Sequence, residues 1–343
     1  MKRHRLAIVG LGMAVTPHAK SLLDLAERAE VAHAFAPSEK RRRAFAQNFP
    51  FPLADNLDAV LGDESVDAVL ILTPPNTHLE LTRKAAAAGK HVLLEKPLEI
   101  TTERGLELVR ACRTAGVTLG VVLQHRFRPP AAKLREVLAA GELGSILGAS
   151  ASIKLWRPQS YYDEPGRGTK TRDGGGVLLT QGIHTLDLLL SLAGAAAETM
   201  SYVTTTPVHR METEDFAAAA VKYRSGAFGV VEATTAAFPG YPERIDIMGE
   251  RGCATIAGTA LRIALTDGRA TEIAADDTAG GTGANPMDFP HDYHRALIAD
   301  FLDALDQNRD PMITGEEALK VHFLIDAILE GGRSGKAVAV RQS

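Results

Sequence analysis

The chain has 343 residues, 45% apolar and 23% charged, with a formal net charge of −4. That is an ordinary globular composition with material for two domains. The mild acidity gives no reason to expect nucleic acid or an anionic membrane as a partner, and no stretch is long and apolar enough to cross a bilayer. The two cysteines, Cys112 and Cys253, lack metal-type spacing and read as free thiols in a reducing compartment. The basic start, Met1 to Arg5, leads into an apolar run of only Leu6 to Val9 before Gly10, too short for a signal peptide. A cytoplasmic protein is expected.

Leu6 to Val9 reads as a buried strand. Gly10-Leu11-Gly12 follows at once, and a helix is predicted from about Pro17 to Ala29. In this context Gly10 allows a tight turn, while Gly12, next to Met13, lets the backbone approach a pyrophosphate at a helix N-terminus. Val15 stands where the full fingerprint has its third glycine. A second strand, Val31 to Phe35, ends at Ala36 without the acid that takes a ribose 2′-hydroxyl. Ser38, Lys40 and Arg41 stand available to a 2′-phosphate, so NAD and NADP both remain open. The third strand, Ala68 to Leu72, runs into the turn Thr73-Pro74-Pro75-Asn76-Thr77-His78 and a helix to Gly89. The next strand, Val92 to Leu94, stops at Glu95-Lys96-Pro97. Pro97 has no N–H for a ladder, which puts Lys96 at the carboxyl edge, where open parallel sheets bind ligands. A helix over Thr102 to Ala115 and a strand over Thr118 to Leu123 complete a doubly wound pattern. A dinucleotide-binding domain is predicted over 1–124, and a second domain over 125–343.

Six strand-like runs follow: Ala149 to Trp156, Thr199 to Thr206, Phe216 to Tyr223, Phe228 to Thr235, Arg244 to Met248 and Ala254 to Ile256. Their alternation fits a sheet with one covered face. The other face is a natural subunit interface, so a homodimer or homotetramer is expected. Trp156, Arg157, Tyr161, Lys170 and Arg172 precede the glycines at 174–176, and the cations among them can hold a carboxylate or phosphate. A helix predicted from Val177 to Leu192 carries Thr180, Gln181, His184 and Asp187, at spacings of three and four that share one face. His184 has the intrinsic pKa of a general base or acid. Two C-terminal helices, Asp292 to Asn308 and Glu316 to Leu329, are expected to pack back, and Ala337 to Val340 to form an edge strand. His291 and His294 are read as solvent or pocket residues rather than metal ligands. Ala279 to Ala284 is read as a flexible loop.

Several of these landmarks together resemble the glucose–fructose oxidoreductase, inositol dehydrogenase and rhizopine catabolism (Gfo/Idh/MocA) family. They are Gly10-x-Gly12, the Thr73-to-His78 turn, Glu95-Lys96-Pro97, Arg126-Phe127-Arg128-Pro129, Gly141-Glu142-Leu143-Gly144, Gly182-Ile183-His184-Thr185-Leu186-Asp187 and Asp300 to Ala304. The resemblance implies an α/β Rossmann domain followed by an α+β domain with a large, open, mostly antiparallel sheet. It implies NAD or NADP as cofactor, and a small-molecule substrate that is a sugar, sugar acid or polyol such as a cyclitol. It implies Lys96 and His184 as the catalytic pair. The expected cofactor set is Gly10, Gly12, Met13, Ala36, Ser38, Lys40, Arg41, Thr73, Pro74, Asn76, His78, Glu95, Lys96 and Gln124. The expected substrate set is Lys96, Arg126, Trp156, Arg157, Tyr161, Lys170, Arg172, Thr180, Gln181 and His184. Some polyol-oxidising members of the family carry Asp where Thr180 stands. Two alternatives therefore accompany the main reading: a reductase of a non-sugar carbonyl, and a non-catalytic NAD(P)-binding sensor.

Overall fold

The computed structural model describes residues 2–275 and 290–342; the stretch 279–284, read above as a loop, lies outside them. The chain forms two compact units, residues 1–123 with 290–319 and residues 124–289 with 320–343.

The first unit alternates strand and helix. Its elements are β1 (His4–Val9), α1 (Val15–Asp24), β2 (Ala29–Phe35), α2 (Glu39–Ala46), β3 (Leu53–Ala54), α3 (Leu57–Gly62), β4 (Ala68–Ile71), α4 (His78–Ala87), β5 (His91–Glu95), α5 (Thr102–Ala115) and β6 (Leu119–Val122). The six strands pair in parallel in the order β3-β2-β1-β4-β5-β6. Strands covered on both faces must be apolar throughout, and Leu6, Ala7, Ile8, Leu70, Val92 and Leu94 are fully buried. The order reverses between β1 and β4, and the crevice at their carboxyl ends is where such a sheet takes a ligand. The helix expected over Pro17 to Ala29 starts at Val15 and stops at Asp24. Tight turns claim the next amides, with Ala26 donating to Leu23 and Arg28 to Leu25, and Ala29 already pairs with His4.

The second unit opens with a 3-10 turn over Gln124–Phe127. It continues through α6 (Pro129–Ala139), β7 (Ile146–Lys154), α7 (Gln159–Tyr162), α8 (Val177–Thr180), α9 (Ile183–Ala193), β8 (Ala196–Thr204), β9 (Phe216–Tyr223) and β10 (Phe228–Thr234). Then come β11 (Arg244–Gly249), β12 (Gly252–Ala257), β13 (Ala260–Leu265) and β14 (Ala270–Ile273). The chain ends with α10 (Asp292–Gln307), which belongs to the first unit, then α11 (Gly315–Ser334) and β15 (Val338–Ala339). Nine strands pair in the order β14-β13-β12-β11-β7-β10-β9-β8-β15. Only β7 and β10 run parallel. β13 and β14 were not among the strands expected from sequence; they form one edge of the sheet, with Arg262 and Glu272 paired on its outer face.

On one face of this sheet lie α6, α8 and α9. The end of α11 joins them, with Ser201 Oγ donating to the Ile328 carbonyl. The opposite face carries Met200, Tyr202, Phe228, Val230 and Met248, all largely exposed. Register places Met200 and Val230 on either side of Ala220, and Phe228 and Met248 on either side of Gly148. Both cysteines are free; burial pushes the Cys112 thiol up to about 12.

The helix predicted as continuous from Val177 to Leu192 is broken in two. The Gly182 amide donates to the Val177 carbonyl at 2.7 Å, a widened turn of the kind found at functional sites, and Gln181 lies in the break.

Candidate active site

In the first unit the glycine turn closes β1. Gly10 donates to the Phe35 carbonyl and has φ +109°, and a Cβ there would lie 2.7 Å from the carbonyl carbon of Leu72. Only glycine meets both demands. Above Gly12 nothing lies within 4 Å of an added Cβ, and the α1 N-cap, Ala14, offers no side chain to its orphan amides. Exposed backbone at an uncapped helix start fits a dinucleotide phosphate. Met13 lies beside it, exposed. Gly10→Ala should therefore cost about 2 kcal/mol in urea unfolding. Gly12→Ala should stay within about 0.5 kcal/mol of the parent yet weaken NADH binding, followed by NADH fluorescence; equal stability losses would contradict these environments.

The remaining expected cofactor residues of this unit sit on neighbouring strand ends. Ala36 is buried at the tip of β2. Ser38 caps α2, its Oγ accepting from the Arg41 amide, while Lys40 and Arg41 are exposed. It is Arg42, absent from the sequence reading, that folds back to donate to the Ala36 carbonyl at 2.6 Å. After β4, Thr73 Oγ1 meets Thr77 Oγ1 at 2.7 Å, and Pro74 and Asn76 are exposed. His78 is wholly buried, with Nε2 2.8 Å from the Thr73 carbonyl and Nδ1 3.0 Å from that of Pro97. Its ring ties the turn after β4 to the turn after β5, and burial lowers its pKa.

At the end of β5 the Glu95 carboxylate turns inward and is buried. His18 Nε2 lies 2.9 Å from Glu95 Oε1, and the Lys96 amide donates to Oε2 at 2.9 Å. Burial opposes the charge, but the bond to His18 and the charges of His18 and Lys96 hold the carboxyl below its usual range. His294 stands edge-on to His18 at 4.9 Å. Ligand-type atoms of His18, Glu95 and His294 all lie within 4.8 Å of one another. Lys96 itself is half-buried.

In the second unit the α8–α9 break presents the other expected residues. Gly176 approaches the Glu214 backbone so closely that a Cβ would overlap it, so this glycine serves packing within the unit. The Glu214 carboxylate accepts from the Gly176 and Leu178 amides at 3.0 and 3.1 Å and caps α8 from a distant segment; burial raises its pKa. Thr180 Oγ1 is 2.7 Å from the Gly176 carbonyl and also meets Gln181 Oε1. Gln181 Nε2 reaches the Tyr161 hydroxyl at 3.5 Å. The Tyr161 ring lies under Arg167 at 4.2 Å and near Arg157 at 5.8 Å.

The His184 imidazole stacks on His125 at 4.8 Å and 28°. One turn on, Asp187 is gripped by both arms of Arg126, at 2.8 and 2.6 Å, so this guanidinium fixes α9 to the 3-10 turn. Gln124, in that turn, is buried, and its amide oxygen has no hydrogen-bond partner among the described residues. Trp156 packs edge-on to Phe238. Lys170 is exposed, its amide donating to Glu212, and Arg172 lies 3.8 Å from Asp173. This unit thus brings Tyr161, Thr180, Gln181 and Arg157 together, and pairs Arg172 with an acid.

A family model described as the oxidoreductase family, NAD-binding Rossmann fold, matches residues 4–123, and the model of the GFO/IDH/MocA C-terminal domain matches residues 131–255. The chain belongs to the Gfo/Idh/MocA family of oxidoreductases. Among its curated relatives, a myo-inositol 2-dehydrogenase of Thermotoga maritima is 26% identical over 97% of this chain and 98% of its own length. A 1,5-anhydro-D-fructose reductase of Ensifer adhaerens is 29% identical over 91% of each chain. The solved WlbA dehydrogenase of Bordetella pertussis, in complex with NADH and UDP-GlcNAcA, matches with a TM-score of 0.85 at 27% identity, over 100% of both chains. The expected family, the two-part fold class and the NAD(P)-dependent oxidoreductase activity all hold.

Several Gfo/Idh/MocA site neighbours had escaped the sequence reading. His125 adjoins the domain boundary, Arg167 sits among charges that look like a surface loop, and Glu214 is far along the chain from the helix it caps. His18 had one available signal, a histidine on the buried face of α1. Of the two places expected for His294, solvent or pocket, solvent is excluded: it is buried in the first unit, because α10 turns that face onto α1. His291, at the helix start, bonds Asp24.

Burial, with the positive side of His18 adding to it, pushes His294 down to about 3 from an ordinary 6.5. Between those values the unfolded chain binds a proton that the folded chain refuses. This contribution to stability is complete above about pH 6.5 and fades by about 1.4 kcal/mol per pH unit as pH falls through the window. Thermal unfolding followed from pH 7 to pH 5 should fall more steeply for the parent than for His294→Gln; parallel slopes would contradict a buried neutral imidazole.

Proposed function

We propose that the protein is an NAD(P)-dependent dehydrogenase acting on a hydroxyl of a sugar, sugar acid or cyclitol, or on the matching carbonyl in reverse. The observation that carries the reading is the open Gly10–Gly12 cradle at the point where strand order reverses, on the same sheet edge as Lys96. The Gly10–Gly12 turn would hold the dinucleotide's pyrophosphate, and the nicotinamide would supply the hydride acceptor for the substrate's carbinol carbon. We assign to His184 the hydroxyl proton released as that carbon becomes a carbonyl. The stack on His125 and the Arg126–Asp187 pair on the same helix hold the ring's orientation, which proton transfer requires. To Lys96 we assign a positive charge that stabilises the alkoxide character developing in the reaction. Tyr161, Thr180 and Gln181 supply hydroxyl and amide groups suited to a polyol, and Arg157 and Arg167 a positive field suited to an acid group.

The open sheet face of the second unit fits a second copy of this chain. Met200, Tyr202, Phe228, Val230 and Met248 expose apolar surface there between charged residues such as Lys222 and Glu232, and Tyr202 is 79% exposed, an amphipathic patch suited to an interface. Sedimentation velocity should give a dimer or tetramer for the parent and a monomer for Tyr202→Glu combined with Val230→Glu. A monomeric parent would remove this part of the proposal.

The activity test follows reduced-cofactor absorbance with NAD+ and NADP+ across myo-inositol, D-xylose, other aldoses, polyols and sugar acids, and follows NADH or NADPH oxidation with 1,5-anhydro-D-fructose. Turnover of any of these supports the reading. Tight dinucleotide binding without turnover of any would replace it with a sensor.

A further inference from the structure

We infer that His18 is a positioning residue for Lys96, acting through the Glu95 carboxylate: it holds one carboxylate oxygen so that the other fixes the Lys96 amide at the strand end. The inference rests on Lys96 serving the reaction. His18 lies on α1, the helix that begins at the glycine turn, and its side chain is wholly shielded from solvent. Glu95 is the last residue of β5. Water has no access to the His18 ring and little to the Glu95 carboxylate, so each leans on the other. One carboxylate oxygen takes His18 Nε2 at 2.9 Å and the other the Lys96 amide at 2.9 Å. His18 Nδ1 has no hydrogen-bond partner among the described residues, so the bond to Glu95 is the polar anchor of the ring.

The charged and titratable groups around Glu95 come from three elements. His18 is on α1, His294 on α10 with His291 beyond it, and Lys96 follows on the same chain segment. Burial keeps His294 neutral. The Glu95 carboxylate and the Lys96 ammonium therefore attract each other without competition from His294. Removing the His18 donor would leave a buried carboxylate short of one bond. Such a carboxylate turns toward other donors, and Lys96 then loses its amide anchor and the fixed position of its charge partner. The same helix that receives the dinucleotide would thus hold the reacting ammonium in place. This is a direct mechanical link within the first unit.

The test needs no substrate. The full chain carrying 13Cε-labelled lysine is titrated by NMR, with the Lys96 signal assigned by its loss in Lys96→Arg. NADH affinity is measured in parallel by fluorescence. His18→Leu should lower the Lys96 midpoint by about one pH unit while NADH affinity changes less than about threefold. His18→Gln, whose amide reaches a similar point, should restore the parent midpoint. Glu95→Gln removes the charge without the shape and should reproduce the drop, which keeps the test decisive if His18→Leu fails to fold. An unchanged midpoint in folded His18→Leu or in Glu95→Gln would overturn the inference. So would stoichiometric zinc in the purified protein, removable by EDTA, since His18, Glu95 and His294 would then be its ligands. Wild-type turnover in Lys96→Met would instead overturn the catalytic reading of Lys96, and the titration would still report whether His18 sets its state.

Discussion

Replacing Lys96 with Met should leave a protein that binds NADH but transfers hydride about 10³-fold more slowly. His184→Ala should show a loss of the same order, because each change removes one of the two proton-handling groups. Neither substitution touches the glycine turn or the Arg126–Asp187 pair, so both variants should fold and retain NADH binding. Single-turnover reduction of NAD+ by the best substrate of the activity panel separates the chemical step from product release. His184→Ala should also flatten the pH profile of the chemical step, because the imidazole proposed to carry the proton is gone. Rates near the parent's in both variants would eliminate the proposed catalytic pair.

The second large effect concerns stability. Arg126 and Asp187 form a bidentate pair whose side chains are 7% and 1% exposed. Asp187→Ala leaves a guanidinium buried without its counter-ion and should cost about 3–5 kcal/mol. Chemical unfolding of the second unit should show this as a lower midpoint. The double change Arg126→Met with Asp187→Leu should recover much of the loss, because replacing both charges by apolar groups of similar volume is often close to neutral. Even a stable double variant should turn over poorly, since the pair fixes the helix that presents His184. If the double variant were as unstable as Asp187→Ala, the cost would lie in packing rather than in the orphaned charge.

The nucleotide unit was largely legible in sequence because its rules are local. Leu6 to Val9, Ala68 to Leu72 and Val92 to Leu94 are short apolar runs followed within three residues by glycine or proline, and all three fall on strands, the second ending one residue early at Ile71. The helix over Thr102 to Ala115 matched residue for residue, since Thr101 caps its start and Gly116 its left-handed end. The second unit was less legible because its site is assembled from distant segments. No spacing rule connects Glu214 with the amides of Gly176 and Leu178, or His125 with His184. The break at Gln181 was hidden by an unbroken helical apolar pattern, which reports the buried face and not the hydrogen bonds. Ser38 and Arg41 were legible as residue types, but their use in the cap of α2 was not, because a hydroxyl that could meet a phosphate also satisfies a helix start.

The origin of α10 has a consequence for synthesis. The ribosome releases β1 to β6 first, yet the first unit includes residues 290–319, with α10 lying against α1 and β6. The nascent sheet must therefore wait, with the surface of α1 bare, until most of the polypeptide has emerged. A fragment cut after Leu123 would display that apolar surface permanently, and it should be recovered as aggregates or in complex with chaperones. Appending residues 290–319 to it through a flexible linker should yield a monomeric, NADH-binding miniature.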